Sequence, residues 1–343
     1  MSSPTSRIAV VILNWNGVSF LEKYLPGVLK SCKGIAELIV ADNASTDTSV
    51  EFIERNFPSV RIIKLPKNNG FTGGYNESLK LVNSEYYVLL NSDVEVKDDW
   101  ISPVIRLMDS NKNIAACQPK ILSQARPKEF EYAGAAGGYI DKYGYPFCRG
   151  RIFNSIEEDL GQYNDSRRIF WATGACMFVR ANCFHELNGF DPHFFAHMEE
   201  IDLCWRMQQK GYEIWYCAES KVYHVGGGTL PKNNPKKTYY NFRNNLFLLY
   251  KNVPKAQFKK ILFYRRIFDS IAALKFLISN GRADCSAVFR AHKDFNSGKK
   301  RYEGEYSDIH LSDIQSNKMV LQKSILFTYY MRGIQKFSEL KGC

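Results

Sequence analysis

Within the short stretch from Phe194 to Gly228, three carboxylates and one histidine stand where acid–base chemistry could draw on them. Glu199, Glu200 and Asp202 open a segment whose apolar residues Ile201, Leu203, Trp205 and Met207 suit an amphipathic helix. The acids therefore crowd its first turn, where unbonded N–H groups and the helix dipole favour negative charge. Taken alone, the cluster reads as helix capping. A short strand over residues 213 to 217 follows, and then Val222-Tyr223-His224 runs into Gly226-Gly227-Gly228. A histidine beside such flexible backbone can turn into a cleft.

The elements that must position these groups are legible from the N-terminus onward. Residues 8 to 13, IAVVIL, form an apolar run ending at Asn14-Trp15-Asn16-Gly17, the pattern of a buried parallel strand reaching a loop. A helical pattern through Leu21, Leu25 and Val28 comes next. A second strand, 37 to 41, ends at Asp42 and the polar turn Asn43 to Asp47, which suits the start of a helix over 48 to 56. A third strand covers 60 to 65, Asn68 to Gly74 opens another helix, and a fourth strand, 86 to 90, closes on Asn91-Ser92-Asp93. The alternation predicts a doubly wound, mostly parallel sheet with helices on both faces. Ligands of such sheets bind beyond the carboxyl ends of the strands, so Asn14, Asp42, Asn68 to Gly74 and Asn91 to Asp93 should meet in one cleft. The glycine-rich segment is neither a dinucleotide fingerprint nor a P-loop, and an ordinary turn would explain it equally well.

Composition narrows the class. The 343 residues suffice for one large domain or two ordinary ones. The N-terminal apolar run is too short to span a membrane and carries no cleavage signal, which points to a cytoplasmic start. Nine cysteines without a C-x-x-C pair argue for a reducing compartment and against structural zinc. The net charge of +11 is unevenly divided: residues 231 to 343 hold 22 Lys+Arg against 8 Asp+Glu, or +14, leaving −3 for the rest. In this basic part, 239 to 250, 257 to 280 and 319 to 340 read as aromatic-rich helices, which either pack on the domain or lie in a membrane interface.

In their order and spacing, VVILNWNG (10 to 17), ADNASTD (41 to 47), NNGFTGGYN (68 to 76), LLNSDVEV (89 to 96), WATGACMFVR (171 to 180), GFDPHFFAHMEEIDLCWR (189 to 206), VYHVGGGT (222 to 229) and YYNFRNN (239 to 245) resemble the family 2 glycosyltransferases of the GT-A fold, in particular their bacterial rhamnosyltransferase-like branch. The resemblance spans roughly residues 7 to 252. It implies a catalytic domain over 1–235 and a basic helical extension over 236–343.

What the family implies for single residues has a chemical reason in each case. Leu13, Asn14 and Trp15 match the segment holding the nucleotide base and ribose, and Asp42 the acid that accepts from base or ribose. Asn68 and Gly73 match the loop approaching the nucleotide. Asn91-Ser92-Asp93 stands where the family has D-x-D, so Asp93 must bring the charge to a divalent ion, Mg²⁺ or Mn²⁺, with His224 as its second ligand. Glu200 matches the general base, usually an aspartate, with Glu199 and Asp202 as rivals. Trp171 matches an aromatic of the acceptor and sugar pocket, a core tryptophan being the alternative, and Arg243 either contacts the diphosphate or lies on a helix surface.

The implied activity is inverting transfer of a sugar from dTDP-rhamnose or a UDP-sugar to a glycan acceptor, polyprenyl-diphosphate-linked, in surface polysaccharide biosynthesis on the inner face of the plasma membrane. Phe263, Phe268 and Phe276 would insert into that membrane. A nucleotidyltransferase is the enzymatic alternative, but NWNGVSF lacks the Arg and Lys of a triphosphate loop. A non-enzymatic basic binding protein is the other. Nucleic acid is disfavoured, because the basic residues alternate with large hydrophobes instead of forming a polar stripe.

Overall fold

The structure, a computed structural model, describes residues 6–226, 234–303, 314 and 317–340. Gly227 and Gly228 of the glycine run lie outside the described residues. The strands are β1 (Ile8–Asn14), β2 (Glu37–Asp42), β3 (Arg61–Lys64), β4 (Tyr86–Asn91), β5 (Val94–Val96), β6 (Ile114–Ser123), β7 (Gly138–Asp141), β8 (Pro146–Cys148), β9 (Arg151–Ile152), β10 (Ser155–Ile156), β11 (Arg167–Arg168), β12 (Cys176–Arg180), β13 (Glu213–His224) and β14 (Val320–Leu321). The helices are α1 (Val18–Cys32), α2 (Ser49–Asn56), α3 (Gly70–Leu79), α4 (Ser102–Ser110), α5 (Ala181–Glu186), α6 (Glu199–Gln209), α7 (Pro235–Asn252), α8 (Lys255–Ser279), α9 (Arg282–Gly298) and α10 (Ile325–Tyr330).

The main sheet runs β11-β13-β6-β12-β4-β1-β2-β3, with β5 paired to β13. Strands β1 to β4 are mutually parallel, as the alternation of strands and helices predicts, whereas β12 enters antiparallel between β4 and β6. Successive residues of β1 feed opposite faces. Ala9 and Val11 join Tyr75 and Leu79 of α3 in one core layer; Val10 and Ile12 join Leu21, Leu25 and Val28 of α1 in the other. A strand covered on both faces has no reason to alternate with polar residues.

Register fixes what stands at the carboxyl edge. Asn14 lies opposite Asp42, and Leu13 opposite Asn91. Strand β13 is longer than expected: a register shift between Cys217 and Lys221 carries the chain onward, so that His224 pairs with Val94, next to Asp93.

A second sheet, β10-β9-β8-β7-β14, recruits β14 from the C-terminal region, where Val320 lies opposite Ile140. One hydrophobic core includes Phe147 and Trp171 together with Leu246, Phe258, Phe295 and Phe337. Helices α7 and α8 match expectation and α9 is additional. Residues 319 to 340, however, do not form the continuous helix their composition suggested. Ser324 caps a new helix there by accepting from Phe327 N, and Gly333 at φ +68° follows its end, so the segment divides into β14, α10 and a short 3₁₀ turn. Among the described residues no helix is long and apolar enough to cross a membrane.

Helix α8 buries charge. Arg265 and Asp269, 2% and 1% exposed, pair at 3.3 Å, and Asp269 also accepts from Tyr145 Oη (2.7 Å) and faces His292 Nε2 (2.9 Å). Removing one partner of a buried pair strands the other. Arg265→Leu is expected to destabilise the fold by roughly 3–5 kcal/mol in chemical denaturation, well beyond an exposed Arg266→Leu control.

Candidate active site

The first two strand ends are tied together by their own loops. Asn14, 1% exposed, donates through Nδ2 to Asp42 Oδ1 and Ser45 Oγ, both at 3.1 Å, while Asp42 Oδ2 accepts from Ser45 N at 2.9 Å. Both Asp42 oxygens are thereby aligned by neighbours. Trp15 projects from this edge, 49% exposed, the only large hydrophobe of the first loop left in water. Leu13 packs beneath Gly74, where an added Cβ would come within 2.8 Å of its methyl group. Gly17, Asn14 and Ser92 also meet: a Cβ on Gly17 would lie 2.5 Å from Asn14 Oδ1 and 3.6 Å from Ser92 Oγ. Asn91 holds the edge through its N–H to Ala175 O at 3.0 Å.

Asp93 and His224 are brought together as the sequence suggested. His224 Nε2 lies 3.1 Å from Asp93 Oδ1, both residues being buried. A third group was not anticipated: Glu131 Oε2 stands 3.4 Å from His224 Nδ1, which makes no hydrogen bond of good geometry. Burial opposes the charge on His224, but the two carboxylates outweigh it and push the imidazole up to about 10. Gly226, at φ +73°, keeps this corner open, since a Cβ there would sit 2.7 Å from Glu131 Oε1. No local sequence motif marks Glu131; only the fold places it. Among the described residues no three His, Cys, Asp or Glu side chains converge in metal-ligand geometry. Asp93 and His224 nevertheless fit an ion that takes its remaining ligands from phosphate oxygens and water, and the open Nδ1 beside Glu131 is the orienting contact that ligating histidines usually have.

The acidic cluster separates into two kinds of carboxylate. Asp202 is fully buried and neutralised: it accepts from Arg206 Nε (2.8 Å), Lys251 Nζ (2.9 Å) and Asn252 Nδ2 (2.9 Å). Lys251 also reaches Asp191 at 2.6 Å. This removes Asp202 from the rivals for base, because its lone pairs are spent in locking α6 to α7. Among the described residues Glu199 and Glu200 have no cationic partner, and each leaves an Oε2 buried and unbonded. Burial, reinforced by the charge of Glu200, raises Glu199 well above the usual carboxyl range. Burial raises Glu200 to about 7, but Glu200 remains partly exposed whereas Glu199 is only 5% exposed. Glu200 is thus the less enclosed of the two residues, although its Oε2 is itself buried.

The chain enters α6 through an unusual backbone. Phe195, His197 and Met198 all have positive φ, at 63°, 71° and 72°. Asn244 of α7 secures the turn, its Nδ2 lying 2.8–2.9 Å from the carbonyls of Phe194, Ala196 and His197. Arg243 assists by donating to His193 O at 3.0 Å. Arg243 is therefore engaged with the acidic loop, a role that neither reading of its sequence position foresaw. Asn244 was missed too, although an amide within the apolar run of NFRNNLFLL was a signal.

Other expectations shift by a few residues. Trp171 is 4% exposed, donates to Tyr139 O at 3.0 Å and lies flat against Gly138, where a Cβ would fall 2.1 Å from the ring. It is a core residue with no face left for a sugar. Asn68 is exposed, with Oδ1 accepting from Asn43 Nδ2 (3.1 Å) and Gly70 N (2.8 Å), which shapes its own turn. Gly73 would clash only with Asn69 Cβ of the same turn, whereas Gly70, at φ +69°, is where the acidic loop makes contact: Phe195 O accepts from Phe71 N, and the Phe195 ring occupies the space a Cβ would need.

The model for "Glycosyl transferase family 2" matches residues 9–187, just over half of the chain. The N-acetylglucosaminyl-diphospho-decaprenol L-rhamnosyltransferase of Mycobacterium tuberculosis (strain ATCC 25618 / H37Rv) is 21% identical over 234 residues, covering 64% of this chain and 76% of that protein. Rhamnosyltransferase WbbL of Escherichia coli (strain K12) is 25% identical over 158 residues, 46% of this chain and 59% of that one. Among solved structures, GalNAc-T7 with UDP, GalNAc and Mn²⁺ superposes with a TM-score of 0.60 at 16% identity, over 89% of this chain and 58% of that chain. The mannosyltransferase PcManGT from Pyrobaculum calidifontis in complex with GDP-Man and Mn²⁺ gives 0.51 at 14% identity, over 88% and 83%. At such identities the superpositions bear on fold alone.

The two kinds of carboxylate should separate in stability measurements. Asp202→Asn, which leaves Lys251 and Arg206 short of a counter-charge, is expected to cost about 3 kcal/mol. Glu200→Gln has the opposite sign. A carboxyl raised from 4.5 to about 7 on folding loses stability as pH climbs through that window. The amide removes the loss, so variant and wild type should unfold alike at pH 4.5, with the variant the more stable at pH 8.

Proposed function

The chain belongs to glycosyl transferase family 2 and is a glycosyltransferase of the GT-A fold; within that class we propose an inverting enzyme whose base is Glu200. The observation that carries the assignment is the contrast within α6: Asp202 is neutralised, Glu199 is enclosed, and Glu200 is partly exposed with an unbonded oxygen and a raised affinity for protons. Glu200 takes the proton of an acceptor hydroxyl as that oxygen attacks C1 of the donor sugar. The bond from C1 to the nucleoside diphosphate breaks on the opposite face, and the diphosphate leaves with the electron pair. Glu199 stands beside it, its affinity for protons raised by burial and by the charge of Glu200.

The donor is a nucleoside diphosphate sugar, dTDP-rhamnose or a UDP-sugar, its base and ribose lying along Leu13, Asn14, Trp15 and Asp42, with Asn68, Gly73, Asn91 and Ser92 bordering the same edge. Trp15 supports this reading as the exposed ring beside Asp42, whose carboxylate is already aligned by Asn14 and Ser45. Asp93 and His224 would hold one divalent cation, Mg²⁺ or Mn²⁺, which when bound neutralises charge on the diphosphate leaving group. Two of the structural neighbours, GalNAc-T7 and PcManGT, hold Mn²⁺, which is consistent with that. The acceptor is a glycan on a polyprenyl diphosphate, the class in the mycobacterial relative's name, and surface polysaccharide assembly is the setting. Residues 1–235 carry the chemistry, while 236–343 brace the acidic loop and meet the inner membrane face.

Glu200→Gln is expected to bind donor normally while losing about 10²- to 10⁴-fold in turnover. In the wild type, kcat/KM should rise about tenfold per pH unit up to about 7 and then level off. A flat profile, or an active Glu200→Gln enzyme beside an inert Glu199→Gln, would move the base elsewhere.

Chelation with EDTA should abolish transfer, and Mn²⁺ or Mg²⁺ should restore it. Glu131→Gln, which removes the charge facing His224 Nδ1, should weaken Mn²⁺ binding about 10- to 100-fold by titration calorimetry. Unchanged binding would reduce Glu131 to a packing residue.

A further inference from the structure

Helix α8 is apolar on two sides, burying Phe258, Ile261 and Ala273 and exposing a second apolar face. Its buried side carries the Arg265–Asp269 ion pair, whereas Phe263, Ile267, Ile271, Leu274 and Ile278 stand in water at 44–89% exposure. Their spacing of four, four, three and four residues draws a single stripe along one face of the helix. Among the described residues, ten of the seventeen large exposed hydrophobes belong to this stripe or to Leu277, Phe289, Phe327, Tyr330 and Met331 in the C-terminal region. Of the insertion residues expected from sequence only Phe263 belongs to the stripe. Phe268 packs on Tyr143, Tyr145 and Tyr264, and Phe276 meets Phe242.

Charge shows what such a face can meet. The exposed ionic residues of α8 are Lys255, Lys259, Lys260, Arg266 and Lys275, all cationic, since its one acid, Asp269, is buried. Lys260 falls on the stripe, with Lys259 and Arg266 along one border and Lys275 along the other, as the 100° helical step requires. Lys275 Nζ reaches Tyr330 Oη at 3.1 Å, which joins α10 and its exposed Phe327 and Met331 to the same side. At the far end of α8, an open groove of about 490 Å³ is lined by Leu277, Phe289, Arg282, Arg290, Lys293 and their small neighbours Cys285 and Ser286, with no carboxylate in it. A second protein would have to bring acids spaced to match; an anionic bilayer presents negative charge beside hydrocarbon everywhere.

We propose that the exposed stripe of α8, extended by α10 and the cationic groove between α8 and α9, is the surface by which this enzyme sits on an anionic lipid membrane, with aliphatic and aromatic side chains in the acyl boundary and lysines and arginines among the headgroup phosphates. The proposal deepens the reading that the acceptor is lipid-linked and rests on it. Because α7 braces the acidic loop and packs against both α8 and α9, the face is mechanically continuous with the site.

The experiment is flotation of the full chain with vesicles of phosphatidylcholine alone or with 30% phosphatidylglycerol, beside hydrolysis of the nucleotide-sugar donor in lipid-free solution. Wild type should favour anionic vesicles at least tenfold, and 0.5 M salt should reduce binding severalfold. Ile271→Ser/Leu274→Ser changes only exposed side chains, so it should retain its melting temperature and donor hydrolysis yet lose binding at least tenfold. Lys259→Gln/Arg266→Gln should lose the preference for anionic lipid. Absence of binding at low salt, or a stripe variant that binds like wild type, overturns the proposal. So does a dimer in sedimentation that dissolves in the stripe variant, since a second copy would then be the occupant. Failure of donor hydrolysis in wild type would instead fault the catalytic reading and leave the flotation result standing.

Discussion

The amide of Asn244 is the constraint on which the site depends. Residues 195, 197 and 198 lie in backbone regions that cost about 1–3 kcal/mol each for residues other than glycine, so the loop into α6 tends to relax. Hydrogen bonds from one side chain return only about 1 kcal/mol apiece, which does not balance that tendency. The remainder comes from α7 as a whole: Arg243 on His193 O, Lys251 between Asp191 and Asp202, and Asn252 on Asp202. The strain is held by a helix outside the α/β sheet, which is why the C-terminal region belongs to the site and is more than a decoration of it.

The same clasp decides the chemistry of the acids. Three side chains from α6 and α7 converge on Asp202 and neutralise it, while among the described residues the adjacent Glu199 and Glu200 have no cation beside them. In a helix N-terminus these three carboxylates look alike. They differ because α7 supplies counter-charge on one side only, and burial then lifts the two that are left out. Around His224 the balance differs: Asp93 and Glu131 flank the imidazole and raise its affinity for positive charge, proton or metal ion, against the cost of burial.

Helix α8 extends this pattern to the surface. A helix that buries Arg265 and Asp269 while exposing six large hydrophobes opposes the ordinary sorting of side chains in water. Its hydrophobic periodicity was visible in the sequence, but which side faces the protein was not, because the partners that make a buried arginine tolerable, Tyr145, Asn245 and His292, lie far away along the chain.

Local pattern by itself determined the strands β1 to β4, the helices between them, and the meeting of Asn14, Asp42 and Asn91 to Asp93 at one edge, since parallel strands buried on both faces leave continuous apolar runs that end at polar loops. It also determined that acids would crowd the start of α6, whereas the nearness of His224 to Asp93 was implied only by the family resemblance. Tertiary structure alone decided which acid is free, because that depends on Lys251 and Asn252 some fifty residues away. It alone placed Glu131 beside His224, buried Trp171 against Gly138 and turned Arg243 toward the acidic loop. In each case the deciding partner is distant in sequence, and periodicity reports only on neighbours.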